Sequence, residues 1–237
     1  MISVCMATYN GGKYLNEQID SILLQLSEND ELIVSDDGST DNTIAILESY
    51  NDRRIKILHN LGRHGCNANF ENALQHAVGD YIFLSDQDDV WVEDKVEVCL
   101  ANLQSADLVV HDCFVTDGNL NITQPSFFKF RKSKRNFAYN IFVNSYVGAC
   151  MAFKRSVLHY SLPIPPSLLI YHDGWIASLA DIMGRVSFVN KPLIYFRRHD
   201  SNTSQSARKS SFSVAYQLKY RVQWMYLLLI RIIKLIL

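Results

Sequence analysis

Residues 81 to 91 read YIFLSDQDDVW: four apolar or aromatic residues, then Asp86, Asp88 and Asp89 within four positions, then a tryptophan. A short apolar run bounded by turn residues reads as a buried strand, so the three carboxylates stand at its exit. Neighbouring negative charges raise one another's pKa, and three on one turn do not ionise together cheaply. A divalent cation removes that difficulty. Carboxylate oxygens suit hard ions, and Mg²⁺ or Mn²⁺ takes one or two protein carboxylates while substrate phosphates complete the shell. The stretch is therefore read as a metal-diphosphate clamp with Asp88 and Asp86 as ligands. Both reach one ion only if the turn leaves strand alternation, and Asp89 is the substitute. A merely solvated acidic turn, with Asp86 capping the next helix, is the other reading.

Upstream, the same grammar repeats. ISVCMAT (2–8) reads as a strand closed by Asn10-Gly11-Gly12, and Leu15, Ile19, Ile22 and Leu26 recur at helical spacing over about 13–26. ELIVS (31–35) is a second strand and stops at Asp36-Asp37-Gly38; STDNTIAILESY supplies a capped helix, and RIKILH a third strand. A helix over about 67–78 leads into YIFLS, another over about 93–103 into ADLVVH. Short strands alternating with longer helices indicate βαβ units, hence a mostly parallel sheet flanked by helices. Ligands of such sheets collect beyond the carboxyl ends of the strands. Both acidic clusters follow strands and should share one rim, although Asp36-Asp37-Gly38-Ser39 could also be a plain Asx-turn.

After about residue 113 the alternation fades. Residues 114–145 read as a loop in which Lys129, Arg131, Lys132, Lys134 and Arg135 lie among phenylalanines. That stretch could face anionic lipid or an acceptor's diphosphate, or be a solvated loop. YVGACMAFKRSVL reads as a strand into a helix, and HDGWIASLADIMG as a helix from Asp173 that Gly184 ends. VSFVN and PLIYFR read as two strands. A polar linker precedes a last helix from Val214, whose uninterrupted apolar length falls short of the ~20 residues of a spanning helix. An interfacial helix fits it better, the alternative being a packing helix whose partner lies beyond a truncated end.

Composition narrows the class. The chain has 237 residues, 48% hydrophobic and 20% charged, with a formal net charge of −1. That balance argues against disorder and against a generic nucleic-acid binder. Five scattered cysteines without C-x-x-C spacing read as reduced cytosolic thiols. MISVCMATYN lacks a basic stretch before an apolar one, so no signal peptide is expected.

Taken together, SVCMATYNGGKYLNEQIDSIL, ELIVSDDGSTDNT, GDYIFLSDQDDVW, VGACMAFKRSVL with HDGWIASL, and PLIYFRRHDSN make five ordered segments. Over about residues 1–200 they resemble a family-2 glycosyltransferase of the GT-A fold, and SDQDDVW with HDGW is similar to bacterial O-antigen and capsule rhamnosyl- or glucosyltransferases. The resemblance implies a donor-binding half (1–112), an acceptor-binding half (113–200), and a linker with a membrane-associating or packing helix (201–237). It implies a nucleoside-diphosphate sugar, UDP- or dTDP-linked, with Thr8, Tyr9 and Asp36 on the nucleoside and Asp37 added by adjacency. Asp86 would contact the ribose or the metal's waters, Asp88 the metal, and His199 would close over the diphosphate. Asp173 would be the catalytic base, or else only a helix cap. It further implies a lipid-linked oligosaccharide acceptor at the inner face of a membrane, with the protein cytoplasmic and peripheral. Ala68 stands where relatives often carry a basic residue, so either Arg63 replaces that charge or the diphosphate contact is lost; His172 stands where many have Glu. The Q-x-x-R-W pattern of processive synthases is absent, which favours addition of one sugar.

The chemistry is consistent with its residues. Sugar transfer needs a Lewis acid on the departing diphosphate and a general base on the acceptor hydroxyl, with an oxocarbenium-like state between them. One base that deprotonates the acceptor hydroxyl, whose oxygen attacks opposite the leaving group, inverts the anomeric centre. Two rival readings stand beside this one: an aspartyl-phosphate phosphohydrolase with Asp86 as nucleophile, and a catalytically silent nucleotide-sugar binder. G-x-G-x-x-G and G-x-x-x-x-G-K-[ST] are absent, which disfavours dinucleotide and P-loop enzymes.

Overall fold

The computed structural model describes residues 1–143, 145–199, 202 and 213–237. Strand β1 (Ile2–Thr8) and strand β2 (Glu31–Asp36) carry almost unbroken runs of buried side chains, as strands covered on both faces must. Between them helix α1 (Leu15–Leu23) turns Leu15, Ile19 and Ile22 inward, the i, i+4, i+7 stripe of an amphipathic helix. Helix α2 (Thr43–Ser49) leads to β3 (Ile55–His59), and α3 (Cys66–Gln75) to β4 (Tyr81–Asp86). β1 pairs in parallel with both β2 and β4, and β2 with β3, giving the local order β3-β2-β1-β4. The connections leave β1 toward one side and return on the other, which opens a crevice between the carboxyl ends of β1 and β4. Register sets Ala7 beside Asp86 and Thr8 beside Asp36. Both acidic clusters therefore share one rim, as the sequence pattern predicts.

Beyond β4 the sheet becomes mixed. The chain continues through β5 (Val90–Trp91), α4 (Lys95–Leu103), β6 (Leu108–Thr116) and β7 (Ile122–Gln124). Then come α5 (Phe127–Arg131), α6 (Phe137–Val143), β8 (Met151–Lys154), α7 (Ser156–Ser161), α8 (His172–Met183), β9 (Val186–Arg197) and α9 (Val214–Ile236). The full order is β3-β2-β1-β4-β8-β6-β9-β5, with β7 on β6. The fifth strand of the sequence pattern does not lie next to β4, because β8 inserts antiparallel between β4 and β6.

Two expectations are corrected. Residues 114–145 are not all loop: β6 runs to Thr116, and α5 and α6 follow, too short to show a helical period. The Ser126 hydroxyl caps α5 by accepting the Lys129 N–H at 3.1 Å, and Lys132 ends it in the left-handed region at φ 55°. VSFVN and PLIYFR form one strand, β9, whose pairing with β6 shifts register around Pro192. Proline cannot donate to a ladder and is tolerated at such irregularities.

The core is continuous across both halves of the sheet. α8 is buried on every side from Gly174 to Ala180, so its sequence is apolar around the whole circumference rather than on one stripe. Trp175 is fully buried and its indole N–H donates to the Ser161 carbonyl at 2.8 Å. α9 lays Trp224 and Leu228 against this layer, and the Arg231 guanidinium donates to the carbonyls of Tyr160 and Leu162 at 3.2 and 2.8 Å. Among the described residues no helix is long and apolar enough to cross a membrane. All five cysteines are free.

Candidate active site

One side of the crevice is built by β1, β2 and the turns after them. Asp36 is buried, and its carboxylate accepts from Thr8 Oγ1 at 3.0 Å, the Gly38 and Ser39 amides at 3.0 and 2.8 Å, and the Ser39 hydroxyl. Four donors fill the roughly four acceptor positions of a carboxylate, so in this state Asp36 closes an Asx-turn. Asp37 reaches the other way. It accepts from Asn60 Nδ2 at 2.7 Å, the His64 ring at 2.9 Å and the Gly65 amide at 2.8 Å, and so shapes the loop before α3. Tyr9 stands at the opening, 57% exposed. Its backbone is gripped at both ends by one side chain: Gln87 Oε1 accepts the Tyr9 N–H at 2.9 Å, and Gln87 Nε2 donates to the Tyr9 carbonyl at 3.1 Å. A Cβ on Gly11 would lie 2.2 Å from Gln87 Oε1, so only glycine leaves room for this clasp.

The acidic turn distributes its three carboxylates over three tasks. Asp86 is half-buried, and among the described residues nothing donates a hydrogen bond to its carboxylate; burial, then the charges of Asp88 and Asp173, push it up to about 7. Asp88 Oδ2 lies 2.9 Å from His199 Nε2 and accepts from Asn202 Nδ2 at 2.7 Å. Asp89 points inward, fully buried, with Oδ1 accepting the Arg197 N–H at 2.9 Å; burial and its acidic neighbours hold it well above the usual range. The structure thus brings Asp86 and Asp88 to the crevice and turns Asp89 to the C-terminal end of β9. Beneath the turn, buried Lys95 donates to the Ala149 carbonyl at 2.8 Å and packs over the Trp91 ring at 4.0 Å; burial lowers its ammonium to about 8.

The position of His199 is set from below. Its ring lies 4.7 Å from that of Tyr14, and Arg197 sits over the same tyrosine at 4.4 Å. The buried Arg197 guanidinium also pairs with Glu17 and donates to the Gly118 carbonyl at 2.9 Å. Asn202 Oδ1 accepts the His199 N–H at 2.6 Å.

Across the crevice lies Asp173, the second residue of α8. Its carboxylate accepts the Gly148 and Gly174 amides at 3.0 and 2.6 Å. It is not the helix cap: Tyr171 holds that position. Burial raises its carboxyl to about 6, partly offset by these amides. Asp173 and Asp86 are close enough to repel; burial pushes the Cys66 thiol up, and the charges of Asp86, Asp173 and Asp37 add to that. His172 is packed rather than poised: it is buried, stacked on Phe70 at 3.8 Å, and lowered by burial to about 3. Arg63 does not face the crevice charge either, since it pairs with buried Glu71 at 2.5 Å.

A sequence profile described as Glycosyl transferase family 2 matches residues 3–161. The chain belongs to glycosyl transferase family 2. It is a glycosyltransferase with the GT-A fold, and the phosphohydrolase reading of Asp86 falls with that assignment. An uncharacterised glycosyltransferase of Nostoc is 28% identical over 89% of this chain and 68% of its own length. A dTDP-rhamnosyl transferase of Shigella flexneri is 27% identical over 90% of this chain and 77% of its own. An Escherichia coli UDP-Glc:α-D-GlcNAc-diphosphoundecaprenol β-1,3-glucosyltransferase is 37% identical, over 41% of this chain and 39% of its own. Among solved structures, S. aureus TarS with UDP-GlcNAc superposes with a TM-score of 0.69 at 19% identity, covering 94% of this chain and 71% of TarS. Glucosyl-3-phosphoglycerate synthase of Mycobacterium tuberculosis, solved with Mn²⁺ and UDP, gives 0.61 at 18% identity over 98% of this chain and 78% of its own. These two likenesses support the fold.

Two site residues escape the sequence reading. Gln87 lies inside the acidic motif, and Asn202 ends the HDSN string; neither residue type announces a role by itself. Among the described residues no group of three or more His, Cys, Asp or Glu side chains is placed to hold a metal ion. A smaller set does fit one. Asp88 and His199 present a carboxylate and an imidazole at contact distance, Asp88 Oδ1 has no partner among the described residues, and Asp86 is close enough for the charge of Asp88 to act on it. Mg²⁺ and Mn²⁺ accept such a sparse protein set when phosphate oxygens complete the octahedron.

Proposed function

We propose that this family-2 member is a metal-dependent inverting glycosyltransferase that moves one sugar from a UDP- or dTDP-linked donor to a lipid-linked polysaccharide precursor. The observation that carries the reading is the meeting of Asp88 and His199 at the β1/β4 crevice, with the Asp173 carboxylate facing it from α8. Asp88 and His199 would hold Mg²⁺ or Mn²⁺, with Asp86 on its waters or on the ribose. The ion supplies Lewis-acid stabilisation of the diphosphate leaving group. Exposed Tyr9, clasped by Gln87, offers a ring for the base to stack on. Thr8 and Asp36 fix the turn beside it, and a direct contact of Asp36 with the base would displace the Ser39 hydroxyl. Asp37 acts at second hand, by holding the loop before α3.

Asp173 would take the acceptor's proton. Its carboxylate is held by two backbone amides and pushed to about 6 by burial, a value that leaves it basic at neutral pH yet able to accept a proton. With the base on the face opposite the diphosphate, attack inverts the anomeric centre. Residues 1–112 serve as the donor half and 113–200 as the acceptor half. The lipid-linked acceptor, and with it a place at the inner face of a membrane, is supported by the acceptor and donor named for the E. coli and Shigella relatives.

The test is thermal stabilisation of the protein by a panel of nucleoside diphosphates and their sugars with and without Mn²⁺, since a ligand bound only by the folded form raises the melting point. The proposal expects at least one nucleotide to stabilise the wild type only with metal, and Asp88→Ala to lose the response. Stabilisation that ignores both metal and Asp88 would sink it.

A further inference from the structure

The net charge of −1 conceals a division. Residues 1–117 hold 21 of the 24 Asp and Glu and 6 of the 23 Lys and Arg, whereas residues 118–237 hold 17 Lys and Arg against 3 acids. Between Asp117 and Asp173 there is no acidic side chain at all. The acceptor side of the molecule and its last helix are therefore strongly cationic.

Within that half one surface is also apolar. Leu218, Val222, Met225, Leu229, Ile233 and Ile236 follow one another at spacings of three and four along α9, and each is between 46% and 75% exposed. This second stripe is distinct from the face that buries Trp224 and Leu228. α9 contains no acidic residue and carries exposed Lys219 and Lys234. On its other flank the Arg221 guanidinium donates to the carbonyls of Ile141 and Phe142 at 3.0 and 3.2 Å, which fastens α6 beside it with Phe142 68% exposed. The turn entering α6 brings exposed Lys132, Lys134 and Arg135, tied in by the Tyr139 hydroxyl donating to the Lys132 carbonyl at 2.9 Å.

We infer that the outer stripe of α9, with Phe142 and the cations of the α5–α6 segment, is a docking surface for an anionic lipid bilayer. The charge pattern selects this occupant. A second copy seated symmetrically on the stripe would set cation against cation, whereas a bilayer offers acyl chains to the stripe and phosphates to its flanks. α9 lies along such a surface rather than through it. A Cβ on Gly174, next to Asp173, would lie 3.7 Å from the Trp224 ring, so the docking helix is packed directly behind the proposed base. The inference deepens the proposed function and rests on it only for the acceptor; the docking itself stands on the surface.

Vesicle co-sedimentation tests it. Vesicles with about 30 mol% phosphatidylglycerol should bind the chain at least ~10-fold more tightly than pure phosphatidylcholine vesicles, and about 0.5 M salt should abolish the difference. Met225→Glu/Leu229→Glu and, separately, Lys132→Glu/Lys134→Glu/Arg135→Glu should each lower binding at least ~10-fold. Both variants should keep cooperative melting and metal-dependent stabilisation by nucleotide. Equal binding to both vesicle types, no binding to either, or a dimer that Met225→Glu/Leu229→Glu converts to monomer would overturn the inference. Loss of nucleotide stabilisation with vesicle binding intact would instead defeat the proposed metal-dependent donor binding and leave the docking surface standing.

Discussion

Replacing Asp173 by asparagine exchanges one carboxylate oxygen for an amide at the start of α8 and leaves the side-chain volume unchanged. Burial raises the Asp173 carboxyl from 3.8 to about 6. Burial favours the neutral acid, so the basic form is present above about pH 6 and is lost as pH falls through that value. A single titration there leaves about 90% of the enzyme with its base at about pH 7 and about 10% at about pH 5. The wild-type kcat/KM should therefore fall roughly tenfold per pH unit below about 6. A positioned general base is worth roughly 10²- to 10⁴-fold, so Asp173→Asn should lose about that much in kcat while KM for the donor stays within about twofold. Nucleoside diphosphate release in the presence of acceptor, followed from acid to neutral pH, measures both. An Asn variant keeping more than about a tenth of wild-type kcat, or a wild-type profile flat through about pH 6, would refute the reasoning.

His199→Ala and Asp88→Ala should each remove Mn²⁺-dependent nucleotide binding, read by titration calorimetry, and a chelator should reproduce the loss in the wild type. Gln87→Ala frees both ends of the Tyr9 peptide; at about 0.5–1.5 kcal/mol per hydrogen bond the donor KM should rise roughly tenfold with kcat little changed. Trp175→Ala empties a fully buried site two residues from Asp173 and should cost about 3–5 kcal/mol in denaturant unfolding, an effect on stability at every pH.

The strand and helix alternation of the first hundred residues is legible because strands buried on both faces are apolar runs, and because each acidic cluster interrupts such a run at the sheet's rim. The second half is less legible for a physical reason. β8 reaches β4 and β6 by pairings distant in sequence, and no local pattern announces which neighbour a four-residue strand will choose. α5 and α6 are shorter than two helical turns, and β9 passes through Pro192 at a register shift. Asp88 and Asp89 are chemically identical neighbours. Only the sheet decides that one meets His199 at the surface and the other the Arg197 backbone inside. The crevice acids were readable as a group; their division of labour was not.

Arg197 ties the end of β9 to Glu17, 180 positions earlier in the chain. During synthesis residues 1–112 therefore leave the ribosome while Asp88 still lacks its imidazole neighbour. On the proposed mechanism, competence at this centre is deferred until the last strand docks, because the imidazole that meets Asp88 lies just beyond that strand.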